Sequence, residues 1–250
     1  MIPHDALPLD DCGLLLGDGL FETMLAVDGV LPHLPAHLDR MTAGCAALNL
    51  PFERGEAERR VREAAPAEGR FAVRLTLTAG SGGRGLDRPA APVPRLFATA
   101  APSVPPATPA ALIVAETRRN EGSPAARLKT LSYVDNVLAR AEARAAGADE
   151  AVMLNNRGEV ACAGAANLFW IEGGRLFTPR LDCGVLAGIT RARLMALRPV
   201  EAVAVGLEAL ERADAIFLTN SLIGARPVSR LGGRAFGEHP MVVRLRELLR

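Results

Sequence analysis

The segment PSVPPATPA, residues 102–110, carries four prolines and no hydrophobic period. Proline fixes φ and removes a backbone donor, so such a run neither continues a helix nor joins a sheet ladder; it behaves as a stiff connector. It divides the 250 residues into a first domain over 1–102, a linker over 103–110 and a second domain over 111–250. With 49% hydrophobic residues, each half has enough apolar material for a core.

The patterning on either side predicts mixed layers. In RFAVRLTLTA (70–79) alternate positions put Phe71, Val73, Leu75 and Leu77 on one face, and PRLFATA (94–100) reads as a second strand. Between 32 and 66 the period turns helical, in two stretches each opened by proline. Beyond the linker, AALIVAETR predicts a strand, TRRNEGSPAAR (117–127) a polar loop, and YVDNVLARAEARAAG (133–147) an amphipathic helix ending at Gly147. Short strands follow at EAVMLN, EVACAGAANLFWI and RLFTP, then a helix at GITRARLMAL and a strand at AIFLTNS. The expected fold class is α+β or mixed α/β, in two domains with a cleft between them.

Charge excludes some partners. Basic and acidic residues nearly cancel, 29 against 28, so neither a nucleic-acid surface nor a polybasic membrane anchor is expected. The start MIPHDALPLDD lacks a basic n-region and an apolar h-region, and no stretch reaches the roughly 18 apolar residues of a membrane span. The expected setting is the cytoplasm and the expected partner a small molecule. Cys12, Cys45, Cys162 and Cys183 are widely spaced and are read as reduced.

Among the 29 cationic side chains a single one, Lys129, is lysine. Arginine cannot attack a carbonyl, whereas an amine with a lowered pKa can; a surviving surface lysine is the bland alternative. Tyr133, the single tyrosine, lies four residues on, and helical spacing would place both side chains on one face. GVLAGITRARL puts Gly188, Ile189 and Thr190 at a helix N-terminus, where free amide groups and the helix dipole bind anions. A lysine and a phosphate cradle together are the minimal kit for pyridoxal phosphate.

Other motifs are weaker. GSGGRG (80–85) matches a dinucleotide fingerprint, yet LDRPAAPVPR after it cannot be the required helix, so a glycine-rich hairpin tip presenting Arg84 is expected. His33 and His37 stand at i, i+4 with Pro35 between them, and no metal site is expected. Neither a GxSxG elbow nor an SxxK pair is present.

The ordered motifs GDGLFETM, HLDRM, LKTLSYVDNVLARAEARAAGADEAVMLN, GEV, ANLFW, TPRLDCGVLAGITR and TNSLIGARPV resemble the class IV, or fold type IV, pyridoxal-phosphate enzymes over nearly the whole chain. That family comprises branched-chain aminotransferases, D-amino acid aminotransferases and 4-amino-4-deoxychorismate lyases. The resemblance implies a D-amino acid aminotransferase-like homodimer with its active site in the interdomain cleft and Lys129 as the Schiff-base lysine. It further implies Arg40 as a phosphate ligand, the backbone of Ile189 and Thr190 as the phosphate cup, and Ser221 as a contributor. Substrate-side candidates are Phe21, Thr23, Tyr133 and Asn220, with Arg84, Arg118 or Arg119 for carboxylates.

GSGGRG, AANLFW…TPRLD and NSL…RPV resemble the lyase branch, and Phe21 stands where D-amino acid aminotransferases carry tyrosine. The implied reaction converts 4-amino-4-deoxychorismate to 4-aminobenzoate and pyruvate, a step of folate biosynthesis. One departure qualifies it: the family's GxVxE glutamate, which pairs with the pyridine nitrogen, is Cys162 in GEVAC, and Glu159 in a strand would face the other way. Three readings therefore stand: the lyase, a D-amino or branched-chain aminotransferase, and a cofactor-binding protein with weakened or lost catalysis.

Overall fold

The computed structural model describes residues 7–83 and 85–249. The chain forms two compact units. The first contains residues 1–104 together with Leu128–Ser132, and the second contains Pro105–Arg127 and Tyr133–Arg250.

The first unit runs α1 (Cys12–Leu16), β1 (Gly19–Val27), α2 (Leu34–Ala47), α3 (Arg54–Ala64), β2 (Arg70–Thr78) and β3 (Arg95–Pro102). The three strands form an antiparallel sheet in the order β1-β2-β3. Register pairs Leu20 with Leu77, Glu22 with Leu75 and Met24 with Val73. Cross-strand partners share a face, so the apolar period of β2 and that of β1 face the same way. This face packs with Leu34, Leu38 and Met41 of α2 and Val61 of α3 into one buried core. The opposite face presents Phe21, Thr23, Arg74 and Thr76.

The second unit runs β4 (Ala110–Val114), α4 (Pro124–Arg127), α5 (Val134–Ala145), β5 (Glu150–Leu154), β6 (Val160–Ala163), β7 (Asn167–Glu172), β8 (Arg175–Pro179), α6 (Ile189–Leu197), β9 (Glu201–Val203), α7 (Glu208–Arg212), β10 (Ala215–Asn220), β11 (Gly224–Leu231), β12 (Arg234–Ala235) and α8 (Pro240–Leu248). Its mixed sheet has the order β6-β5-β4-β11-β10-β7-β8-β9, with β12 beside β11. The pairings β11–β4, β4–β5 and β8–β9 are parallel and the others antiparallel. Buried apolar clusters cover both sheet faces, including Phe169 stacked on its register partner Phe217 with ring centroids 5.2 Å apart.

One expectation changes. Residues 111–250 do not all group together, because the segment around Lys129 pairs with β1 and belongs to the first unit. The glycine-rich stretch lies, as expected, in the connection of a hairpin, since β2 and β3 are antiparallel neighbours with Thr78 paired to Arg95, though that connection is long. Arg84 itself lies outside the described residues. No described helix is long and apolar enough to cross a membrane.

Candidate functional site

Lys129 lies in an extended segment along the free edge of β1. The Phe21 N–H donates to Lys129 O at 2.9 Å, and the Leu131 N–H donates to Gly19 O at 3.0 Å. Only glycine fits at position 19, where a Cβ would lie 2.2 Å from Leu77 O. The backbone is thus clamped on both sides of the lysine. Its Nζ stands 4.0 Å from the centroid of the Phe21 ring. The guanidinium of Arg74 lies 3.8 Å from the same centroid, and its Nε donates to Thr76 Oγ1 at 3.2 Å. One phenyl ring therefore faces both an amine and a permanent cation, attracted to its π-face. Thr23, half-buried, is the register partner of Arg74.

Lys129 lies outside any helix and Tyr133 is the N-cap of α5, so helical spacing does not relate the two. Arg74 belongs to none of the sequence motifs. Its signal is the complement of the β2 alternation: the polar positions between Val73, Leu75 and Leu77 define a second face on which a cation stands beside the Phe21 ring.

On the core side of β1, Glu22 is 1% exposed and reaches α2. His37 Nδ1 lies 2.6 Å from Glu22 Oε2, Arg40 Nε donates to Oε1 at 2.7 Å, and Arg40 Nη2 donates to Oε2 at 2.6 Å. Burial raises the Glu22 pKa, but the hydrogen bonds from Arg40 and His37 and their charge outweigh it and hold the carboxyl below its ordinary range. Arg40 keeps 17% of its side chain exposed, so it is anchored without being fully enclosed.

In the second unit, α6 starts at Ile189 as its sequence predicts, with Gly188 as an N-cap that offers no side-chain hydrogen bond. A Cβ at 188 would collide with Asn167 Oδ1, 1.9 Å away, while the Asn167 amide donates to Leu186 O at 2.9 Å. Thr190 and Arg191 in the first turn are buried, and Arg191 Nε has no hydrogen-bond partner. Desolvation lowers the Arg191 pKa. Thr219, across the sheet from Asn167, likewise buries an unpartnered Oγ1. An uncapped helix start beside orphaned donors suits an anion such as phosphate.

Ser221 follows β10 in a turn, half-buried. Asn220 builds that turn: its Oδ1 accepts from Leu222 and Ile223 N–H, and its Nδ2 donates to Ala165 O at 3.0 Å. Its amide is therefore occupied in the fold.

Cys162 sits in β6 opposite Met153, buried among Ala139, Ala143, Ala151 and Ala161. Desolvation raises its pKa, the nearby Arg119 charge pulls the other way, and Glu150 adds to the rise. The thiol is protonated at neutral pH. Glu159 lies just before the strand rather than in it, paired with Arg157 at 2.7 Å. The two loop arginines behave differently. Arg118 is exposed, whereas Arg119 is buried and donates to Gly184 O, Asn136 Oδ1 and Ala126 O. This clasp, extended by Asn136 to Gly164 O at 2.7 Å, takes Arg119 out of the substrate candidates. Among the described residues no His, Cys, Asp and Glu cluster is placed to hold a metal.

Residues 19–231 match the pattern of amino-transferase class IV. A Methanocaldococcus jannaschii protein named as a branched-chain-amino-acid aminotransferase is 34% identical over 238 residues, covering 90% of this chain and 82% of that one. The 4-amino-4-deoxychorismate lyase of Pseudomonas aeruginosa superposes with a TM-score of 0.89 at 31% identity, covering 99% of this chain and 96% of that one. A hypothetical aminotransferase of Mycobacterium tuberculosis, in its PLP-bound form, superposes with a TM-score of 0.84 at 25% identity, covering 100% and 93%.

Proposed function

The chain belongs to the class IV aminotransferase family, and from that membership we propose a pyridoxal-phosphate enzyme that cleaves 4-amino-4-deoxychorismate to 4-aminobenzoate and pyruvate. The residues present fit the cofactor: a clamped lysine for covalent attachment, and an uncapped helix start with orphaned buried donors for phosphate. Lys129, Arg40, the amide groups of Ile189 and Thr190, and Ser221 are its assigned holders. Bound, the cofactor supplies an aldehyde that captures the substrate amine and a ring that withdraws electrons from the adjacent carbon.

The chain's own part in the reaction is proton handling and carboxylate binding. The Lys129 Nζ would take the proton from the amine-bearing carbon. The C–O bond to the enolpyruvyl group then breaks, and the released enol takes up a proton to become pyruvate. The ring left behind is aromatic. All atoms of the substrate appear in the two products, so no second substrate is needed. Arg74, beside the lysine on the Phe21 ring, binds a substrate carboxylate.

The observation that carries the lyase reading over transamination is the state of Cys162. A buried, protonated thiol in place of the family's glutamate is a weak partner for a pyridine nitrogen. Transamination stores charge in the ring for longer than an elimination that ends in aromatisation. An aminotransferase is the second reading, supported by the 34% identical relative. A homodimer in the cytoplasm, acting in folate biosynthesis, completes the proposal.

The test is incubation of holoenzyme with 4-amino-4-deoxychorismate and no keto acid, and separately with D-alanine or branched-chain amino acids plus a keto acid. Release of 4-aminobenzoate in the first mixture supports the lyase. Amino transfer in the second without release in the first overturns it in favour of the second reading. Inactivity in both leaves a cofactor-binding protein.

A further inference from the structure

The C-terminal end of α6 and the start of α8 border a cavity of about 650 Å3 in the second unit. That is the size of a small-molecule pocket. It lies at the far end of α6 from Gly188, about 13 Å along a helix of nine residues. None of its lining residues is assigned to the cofactor or substrate.

Its walls combine two chemistries. Leu176 and Leu245 are buried and Met241 is half-buried, giving an apolar floor. Four basic side chains, Arg175, Arg198, His239 and Arg244, face a single carboxylate, Glu201. Glu201 is committed to Arg175, whose Nε donates to it at 2.8 Å. Among the described residues no hydrogen bond or ion pair engages the guanidinium of Arg198 or Arg244. His239 Nδ1 accepts the Met241 N–H at 3.2 Å, which leaves Nε2 as the ring nitrogen able to donate.

We propose that this cavity is a second ligand site, taking a small monocarboxylate with an apolar body. Arg198 and Arg244 hold the carboxylate, and the body covers Leu176, Met241 and Leu245. A neutral ligand of the same shape would leave both guanidinium groups without a counter-charge, and inorganic phosphate would leave the apolar floor wet. The proposal does not depend on which reaction the enzyme catalyses.

Holoenzyme carrying methyl-labelled methionine is titrated with benzoate and with 4-methylpentanoate, and the Met241 methyl resonance, assigned with Met241→Leu, is followed by NMR. Both carboxylates should shift it saturably at low-millimolar concentration. Benzyl alcohol and inorganic phosphate should act about tenfold more weakly or less. Combined Arg198→Ala and Arg244→Ala, both at exposed positions, should weaken the carboxylates about tenfold or more at unchanged melting temperature. An unmoved resonance with both carboxylates, an equal response to benzyl alcohol, or an unaltered titration in the double variant would overturn the site.

Discussion

Both carboxylate oxygens of Glu22 are taken by Arg40, at 2.7 and 2.6 Å, although the two residues lie 18 positions apart. A two-point contact fixes the plane of the guanidinium, which a single contact would leave free to rotate. Glu22 therefore aims Arg40, and His37 fixes Glu22 from the other side.

Glu22→Gln should lower the stability of the holoenzyme by about 1.5 to 3 kcal/mol at neutral pH, because it replaces charge-assisted hydrogen bonds to Arg40 and His37 with neutral ones and turns one acceptor into a donor facing them. The pH dependence has a definite sign. The folded carboxyl titrates below its ordinary range, so its stabilisation is complete above the unfolded value near ~4.3 and is lost as pH falls through the folded one. Denaturant melts of wild type and variant should therefore converge on acidification. A constant gap across pH would show that the carboxylate charge contributes nothing.

Arg40→Ala should weaken cofactor binding by about 1.5 to 3 kcal/mol, the scale of a hydrogen bond to a charged group. Titration of the apo-protein with pyridoxal phosphate measures it. An unchanged affinity would make Arg40 a purely structural partner of Glu22.

Lys129→Arg should retain the cation beside Phe21 and abolish turnover, since a guanidinium forms no bond to the cofactor aldehyde. Borohydride reduction of wild type followed by peptide mapping should place the label on the peptide containing Lys129, and the variant should take none. Label on any other peptide would remove Lys129 from the chemistry.

Arg74→Gln should raise KM for the amino substrate by about tenfold to a hundredfold, the equivalent of one charge-assisted hydrogen bond. Arg74→Lys should recover part of that loss. Equal falls in kcat with KM unchanged would mean that Arg74 acts on Lys129 through the shared ring rather than on the substrate.

Local period made some of this legible in advance. Val73, Leu75 and Leu77 face the core as their alternation requires, and α6 begins at the predicted Ile189. The pairing of Lys129 with β1 left no local trace, because a strand edge filled by residues about a hundred positions away is set by tertiary contact. Arg119 was hidden for the opposite reason. Its neighbours Arg118, Asn120, Glu121 and Gly122 read as a solvated loop, yet the buried guanidinium closes that loop by collecting three oxygens. The Glu22–Arg40 contact joins a strand to a helix, and neither period reveals it.

Cys162 gives the last prediction. If its side chain stands where the family's glutamate meets the pyridine nitrogen, Cys162→Glu should raise any side transamination relative to 4-aminobenzoate release, because a carboxylate keeps the ring protonated where a thiol does not. Cys162→Ala should change elimination only modestly, since a protonated thiol is already a weak partner. The surroundings set a cost. The introduced carboxyl enters a cluster of alanines and Met153, where burial raises its pKa, so the variant should match wild-type stability best near pH 4 and fall behind as pH rises through the raised folded value. Cofactor absorption against pH, melting temperature and the ratio of the two activities, measured in wild type and both variants, separate the effects. A lowered melting temperature with an unchanged spectrum and activity ratio would make Cys162 a packing residue remote from the cofactor, and the lyase reading would lose the observation that carries it.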